Sequence, residues 1–307
     1  MSCVAKLLGS SPLTPLEARI LLSYVLNWPR TALITRANEL LPNDLSERFL
    51  ALQAQRISGK PIAQLVGSRE FFGLDFDVTR HVLIPRPETE LLVECVLDAV
   101  QKISLPRILD LGTGSGAIAI AIAYARPDAQ IVATDCCTDA LNIACRNAKR
   151  LLGDAALMLP PPRLANHHHS VFSSHPTQSR LTLCCGDWFK ALNKSYFSVP
   201  VQFDVIVSNP PYISILDPHL CEGDLLFEPL DALTDYADGL SAIRTIIASS
   251  VTWLAPGGKI WIEHGHNQAK EVRSLLNTYG LYSIHSVRDL AGIERVTGGS
   301  VSRPYDK

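Results

Sequence analysis

The stretch 107-RILDLGTGSGAIAIAIAYA-125 decides the fold. RILDLG reads as a short apolar strand, SGAIAIAIAYA as a helix, and between them stand Gly112, Gly114 and Gly116. A strand running through a glycine turn into a helix is the nucleotide-site geometry of doubly wound folds. Glycine lets the backbone approach the ligand, and the helix N-terminus presents free N–H groups to it. The spacing here is G-x-G-x-G, whereas the dinucleotide fingerprint places its third glycine one position later. The tighter loop suits a ligand with no pyrophosphate, where the backbone meets an amino-acid moiety.

Outward from this loop, the chain alternates. QIVATD is the next strand and TDALNIACRNAKRL the next helix. LTLCCGDW and FDVIVSNPPY read as two further strands, and GGKIWIEHG as another after the helical SAIRTIIASSVTWLAP. This rhythm predicts an α/β domain with a mostly parallel sheet covered on both faces. Asp135 closes QIVATD nineteen residues after Gly116, where a carboxylate accepts hydrogen bonds from both ribose hydroxyls. Asp187 and Trp188, near the end of the following strand, offer an acid and a flat ring for the amino group and face of an adenine; Trp188 would otherwise be core.

The first seventy residues read as helices. In TPLEARILLSYVLN, Thr14 is a candidate N-cap, Pro15 stands at the first helical position and Glu17 completes a capping box. NDLSERFLALQAQRIS, with Phe49, Leu52 and Ile57 apolar, and PIAQLVG, closed by Gly67, follow as helices. Phe71 to Pro87 changes character: FFGLDFDV alternates around Gly73 and HVLIP follows, so a β-hairpin is expected there between two domains. ETELLVECVLDAV then reads as a helix led by acids. Residues 1–70, 71–87 and 88–307 are therefore the expected helical domain, hairpin linker and α/β domain. The proline- and histidine-rich Gly153 to Arg180 segment is expected to be a flexible insertion.

At 307 residues, 47% apolar and 19% charged, the chain has ample material for a buried core. A net charge of −2 supplies no overall positive field for nucleic acid or anionic membrane. No run is long and apolar enough to span a bilayer, and the N-terminus lacks the pattern of a cleaved signal peptide. The eight cysteines form no C-x-x-C and no metal-like Cys/His spacing, so reduced thiols in a cytoplasmic protein are expected, with no metal.

The stretch 206-IVSNPPYIS-214 carries the chemistry. Each proline fixes its own φ and holds the residue before it extended, so Asn209 and Pro210 present acceptors in set directions. The stretch ends a strand on the carboxyl edge of the sheet, where open α/β folds bind ligands. Together with the glycine loop it resembles the S-adenosylmethionine-dependent methyltransferases that modify planar –NH₂ groups. That resemblance implies that the Asn209 side-chain oxygen and the Pro210 carbonyl each accept one hydrogen of the target nitrogen, with Tyr212 against the conjugated plane.

REFFGLDFDV, LIPRPETE, DLGTGSGAIAIA, SNPPYI, FEPLDAL and IEHGHNQ occur in this order. Together they closely resemble the bacterial release-factor glutamine methyltransferases, the PrmC/HemK family, from about Thr14 to Val296. The resemblance implies a Rossmann-like class I methyltransferase domain behind a helical domain that docks the substrate. The expected activity is transfer of a methyl group from S-adenosyl-L-methionine to N5 of the Gln in the Gly-Gly-Gln motif of class I peptide chain release factors. Cofactor contacts are implied at Gly112, Thr113, Gly114, Ser115, Gly116, Asp135, Trp188 and Asn209, and catalytic and substrate contacts at Asn209, Pro210, Pro211 and Tyr212. Arg86, Pro87 and Glu88 stand beside the site, with Glu90 helping to close it, or else form a linker turn and helix-start acids. Phe71 and Phe72 either wall the target side chain or fill the hairpin core. His264 is read as structural.

Two segments depart from the family pattern: the 153–180 insertion, whose His167 to His169 form no convincing metal site, and the tail RVTGGSVSRPYDK, which lacks a strand-like ending. A monomer with no direct nucleic-acid or membrane partner is expected. The rival is an N6-adenine methyltransferase acting on nucleic acid, which would have to flip a base and grip phosphates. Residues 1–80 hold nine Lys/Arg against seven Asp/Glu, with no basic run to do so. A non-catalytic protein keeping the fold would not need both an intact glycine loop and an intact N-P-P-Y.

Overall fold

The computed structural model describes residues 2–158, 180–192 and 201–302. The helices α1 (Val4–Gly9), α2 (Pro15–Leu26), α3 (Arg30–Thr35), α4 (Asn43–Ile57) and α5 (Ile62–Val66) form the N-terminal part. Its apolar centre includes Val4, Leu21, Leu22, Leu33 and Phe49. The capping box at α2 is formed: Thr14 Oγ1 accepts from the Glu17 N–H at 3.3 Å, and Glu17 Oε2 accepts from the Thr14 N–H at 3.2 Å. Gly67, at φ +78°, closes α5. In α4, Phe49 is buried and Leu52 partly so, while Ile57, at its last turn, stands 60% exposed. A two-residue antiparallel pairing, β1 (Ser2–Cys3) with β2 (Leu40–Leu41), is added to the expected all-helical unit.

The hairpin lies earlier and is shorter than its sequence suggests. Its arms are β3 (Ser68–Phe71) and β4 (Leu74–Asp77), with Phe71 opposite Leu74. The two-residue turn places Phe72 at φ +52° and Gly73 at φ +74°, the paired positive angles that match the twist of the arms. HVLIP is not a strand; after β4 the chain runs through turns and coil to a 3₁₀ turn at Pro87–Thr89, which leads into α6 (Glu90–Ala99).

The sheet contains β5 (Arg107–Leu111), β6 (Gln130–Asp135), the two-residue β7 (Leu157–Met158), β8 (Leu181–Cys185), β9 (Phe203–Ser208), β10 (Leu254–Glu263), β11 (Tyr282–Arg288) and β12 (Glu294–Ser300). Their order is β11-β12-β10-β9-β5-β6-β8-β7, parallel from β10 to β7 and antiparallel where β12 meets β10 and β11. The helices are α7 (Ala117–Ala125), α8 (Thr138–Leu152), the short α9 (Leu230–Leu233), α10 (Ser241–Ser250) and α11 (Ala269–Thr278). One apolar layer packs α6, α7 and α8 on the sheet, and another packs α10 and α11 on its other face.

The tail, read as lacking a strand, supplies β12 at the heart of the antiparallel end. Gly298 and Gly299 interrupt its apolar pattern because the Trp261 ring of β10 lies across Gly298: a Cβ there would come within 2.2 Å of it. Within the expected 153–180 insertion, residues 153–158 form a 3₁₀ turn and the edge strand β7. The remainder up to residue 179, including His167 to His169, lies outside the described residues.

The N-terminal helices touch the α/β part directly. Arg56 bridges Glu17 at 2.8 Å and Asp224 at 2.7 Å, and Gln64 Nε2 donates to the Phe227 carbonyl at 2.7 Å. No helix among the described residues is long and apolar enough to cross a membrane.

Candidate active site

The carboxyl ends of β5, β6, β8 and β9 open on one cleft of about 590 Å³, whose wall includes Gly112, Gly114, Asp135, Trp188, Asn209 and Pro211. The position follows from topology. After β5 the chain winds outward through β6 to β8, then crosses back to β9 on the other flank of β5, leaving a crevice where the order reverses.

The glycine turn is pinned from beneath. The N–H groups of Gly112 and Thr113 both donate to the Thr134 carbonyl at 2.9 Å. Thr113 Oγ1 donates to Asp110 Oδ2 at 2.6 Å. Asp110 is fully buried, and burial pushes its carboxyl up to about 7. Thr113 and Ser115 also reach the cleft, but Gly116 is not among its lining residues. A Cβ on Gly116 would meet Ile120 Cδ1 at 2.7 Å and Ala144 Cβ at 3.2 Å, so this glycine lets α7 lie close to α8.

Asp135 accepts from the Gly114 N–H through Oδ2 and from the Cys137 N–H through Oδ1, each at 2.8 Å. Burial raises its pKa against the opposing pull of those N–H groups and that of Cys136. Acceptor capacity remains on its oxygens for a ligand hydroxyl. Trp188, at φ +44°, turns its ring over Gly112, where a Cβ would stand 3.1 Å from it. Asp187 pairs with Lys190 at 2.7 Å on the rim. A half-buried carboxylate, an indole and a close-approach glycine turn form a set of acceptor, flat surface and backbone N–H groups that fits the ribose, base and amino-acid parts of S-adenosylmethionine.

Asn209 follows β9 and lines the cleft. Its Nδ2 donates to Thr89 Oγ1 at 3.2 Å, which leaves Oδ1 as the free acceptor. Pro211 also lines the cleft, whereas Pro210 is buried and Tyr212 is not among the lining residues. The Tyr212 hydroxyl donates to Glu263 Oε1 at 3.3 Å, and its carbonyl accepts from Gln268 Nε2 at 3.0 Å. Burial and the Glu263 carboxylate raise the Tyr212 pKa.

The flanking residues divide. Arg86 lines the cleft and pairs with Glu228, whose buried carboxylate also accepts from the Ile84 N–H at 2.9 Å. LIPRPETE is thereby tied to FEPLDAL. Glu90 accepts from the Phe72 N–H at 2.9 Å, so its carboxylate closes the hairpin turn and not the cleft. Phe71 is core, edge-on to Phe76 at 6.0 Å, and neither Phe71 nor Phe72 lines the cleft. Thr89 does, and nothing in its sequence context marks it beyond a helix start. His264 is buried, with Nδ1 2.9 Å from the Gly265 carbonyl and Nε2 2.7 Å from Thr297 Oγ1. Burial lowers its pKa, as suits a neutral structural imidazole.

A family model of the PrmC N-terminal domain matches residues 3–67, and one of the methyltransferase small domain matches residues 87–159. A release factor glutamine methyltransferase of Burkholderia pseudomallei (strain K96243) is 52% identical over 295 residues, covering 96% of this chain and 95% of that one. One from Bordetella pertussis (strain Tohama I) is 43% identical over 301 residues, covering 97% and 99%. Among solved structures, the catalytic domain of hMettl16 in complex with an RNA hairpin superposes with a TM-score of 0.54 at 14% identity. It covers 89% of this chain and 85% of that one, a likeness of fold.

Proposed function

Because the chain belongs to the release factor glutamine methyltransferase family, we propose that it transfers a methyl group from S-adenosylmethionine to N5 of the Gln in the Gly-Gly-Gln loop of class I peptide chain release factors. The observation that carries the reading is Asn209: on the cleft wall, its amide nitrogen is held by Thr89 and its oxygen faces no competing donor among the described residues.

Bound in the cleft, S-adenosylmethionine supplies an electrophilic methyl group. Asp135 is the residue for its ribose hydroxyls, Trp188 for its base, and Gly112 to Ser115 for its amino-acid end. Gly116 acts behind the loop, by packing. A carboxamide nitrogen is a weak nucleophile because its lone pair is delocalised into the carbonyl. Asn209 Oδ1 and the Pro210 carbonyl accept its two hydrogens, return density to nitrogen and aim the lone pair across the cleft. Tyr212, anchored through its hydroxyl, offers its ring to the amide plane. Each neutral hydrogen bond is worth only about 0.5–1.5 kcal/mol net, whereas aligning two reactants supplies roughly 7–11 kcal/mol. Positioning dominates, which is why Pro210 and Pro211 stiffen the loop.

The helical domain, residues 1–70, docks the release factor, the hairpin region joins it to residues 88–307, and the protein works as a cytoplasmic monomer. The test offers isotope-labelled S-adenosylmethionine with a release factor, its Gln-to-Ala loop variant, or duplex DNA. Label should enter the intact release factor alone. Asn209→Ala should lower kcat at least roughly 100-fold, the scale of a misplaced reactant. Label on DNA, or an active Asn209→Ala enzyme, would overturn the reading.

A further inference from the structure

The carboxylate of Glu263, at the last position of β10, lies behind the N-P-P-Y loop and outside the cleft. It is 2% exposed. Oε1 accepts from the Tyr212 hydroxyl. Oε2 is buried and finds no hydrogen-bond partner among the described residues. The Thr89 hydroxyl beside it favours its ionised form, and that same hydroxyl accepts from Asn209 Nδ2. A buried carboxylate with an unused oxygen is costly unless something needs it.

Resting on the function proposed above, we propose that Glu263 is a positioning residue for methyl transfer: one oxygen holds the Tyr212 hydroxyl, the other, unpaired in the structure, is the acceptor offered to the Thr89 hydroxyl, and together they fix which way the Asn209 amide and the Tyr212 ring face. An ionised carboxylate can only accept. Thr89 must then turn its proton toward Glu263, which leaves its oxygen free to accept from Asn209. Asn209 must present nitrogen to Thr89, and therefore oxygen to the cleft. A reversed Asn209 would meet the target amide nitrogen with donors, and the target hydrogens would have no acceptor. On the other side, the Tyr212 hydroxyl is locked to Oε1. Gln268, five residues along in the same IEHGHNQ segment, holds the backbone: its Oε1 accepts from the Gly265 N–H at 2.8 Å and its Nε2 donates to the carbonyls of Tyr212 and Gly239. IEHGHNQ is thus the mould in which SNPPY is held.

Glu263→Gln is the informative change because it keeps shape, removes the charge and turns one acceptor oxygen into a donor. A carboxamide nitrogen facing Thr89 turns the chain around. Thr89→Val is the second variant, cutting the link to Asn209 while sparing that to Tyr212. At pH 8, both should lower kcat roughly 10- to 100-fold, as misplaced reacting groups do. KM for the release factor should stay near wild type, and the melting temperature of Glu263→Gln should not fall. The wild-type kcat should also rise with pH through the Glu263 titration and lose that limb in Glu263→Gln. The charges that face this carboxyl and set its midpoint are Arg295 and, of opposite effect, Glu88, with Arg86 beyond Tyr212. Asn209→Ala, assayed alongside, separates the two readings. If it stays active, the proposed chemistry of the loop fails. If it is inactive while both Glu263→Gln and Thr89→Val turn over normally, or change KM alone, the Glu263 inference is overturned and the chemistry stands. Should Glu263→Gln fail to fold, Thr89→Val decides.

Discussion

Gly114 and Gly116 stand two residues apart in one turn, both at positive φ, and answer to different neighbours. Around Gly114 a Cβ would meet open space, at a residue that lines the cleft. At Gly116 it would meet α7 and α8 side chains. The left-handed backbone costs an alanine about 1–2 kcal/mol, and forcing extra volume into a packed site costs about 1–3 kcal/mol more. Gly116→Ala should therefore lose roughly 2–5 kcal/mol in urea unfolding, while Gly114→Ala should lose about 1–2 kcal/mol and raise the KM for S-adenosylmethionine. Equal stability of the two variants would remove the packing role from Gly116. The G-x-G-x-G pattern located this loop in the sequence, and Asp135 with it. Which glycine lines the cleft and which packs against a helix was not legible, because it depends on how near α8 lies, and that is tertiary. Thr89, Glu263 and Gln268 escaped for the same reason: a Thr before an acidic helix start, an acid at a strand end and a Gln after a turn have no local pattern until three segments meet.

At the scale of elements, the wall of the cleft depends on one ion pair. Glu228 sits at the end of a 3₁₀ turn with its side chain wholly buried, and it holds both Arg86 and the Ile84 N–H. Burial raises the Glu228 pKa, and Arg86 offsets part of that. Removing one member of a buried pair leaves the other uncompensated and typically costs about 3–5 kcal/mol. Arg86 is one-third exposed, so Glu228→Ala should fall at or below the low end, about 2–3 kcal/mol by thermal unfolding. KM for the cofactor should rise with it, since Arg86, Pro229 and Asp231 all line the cleft. An unchanged unfolding midpoint would show the pair to be dispensable. The helices and parallel strands were legible from their apolar runs and caps, down to the Thr14–Glu17 box. The elements that misled were those governed by partners. HVLIP has the composition of a strand but no edge to pair with, and its Val82 and Ile84 pack instead beside α5 and α8. GGS in β12 has the composition of a turn, yet it is a strand because β10 lays Trp261 across it.

For the whole molecule, the same buried acids that shape the site set the pH dependence of folding. Burial pushes Asp110, ordinarily 3.8, and Glu263, ordinarily 4.5, up to about 7. Between those ordinary values and about 7 the folded chain binds more protons than the unfolded one, so these two groups make stability fall as pH rises across that window. Above it the full penalty is in place, on the order of 4 kcal/mol for Asp110 and 3 kcal/mol for Glu263 at 1.36 kcal/mol per pH unit. Activity runs the other way if Glu263 must be ionised to orient Asn209. The enzyme should thus be more stable near pH 5.5 and faster near pH 8, with the stability of one region spent on the order of another. Urea unfolding at the two pH values checks the first half. The midpoint should be higher at pH 5.5, and the difference should shrink in Glu263→Gln and again in Asp110→Asn. His264, whose pKa burial lowers, opposes this slope, so the variants decide: a pH difference that is the same in wild type, Glu263→Gln and Asp110→Asn would mean that neither carboxyl holds its proton in the folded state, and that burial alone does not govern the two acids beneath this cleft.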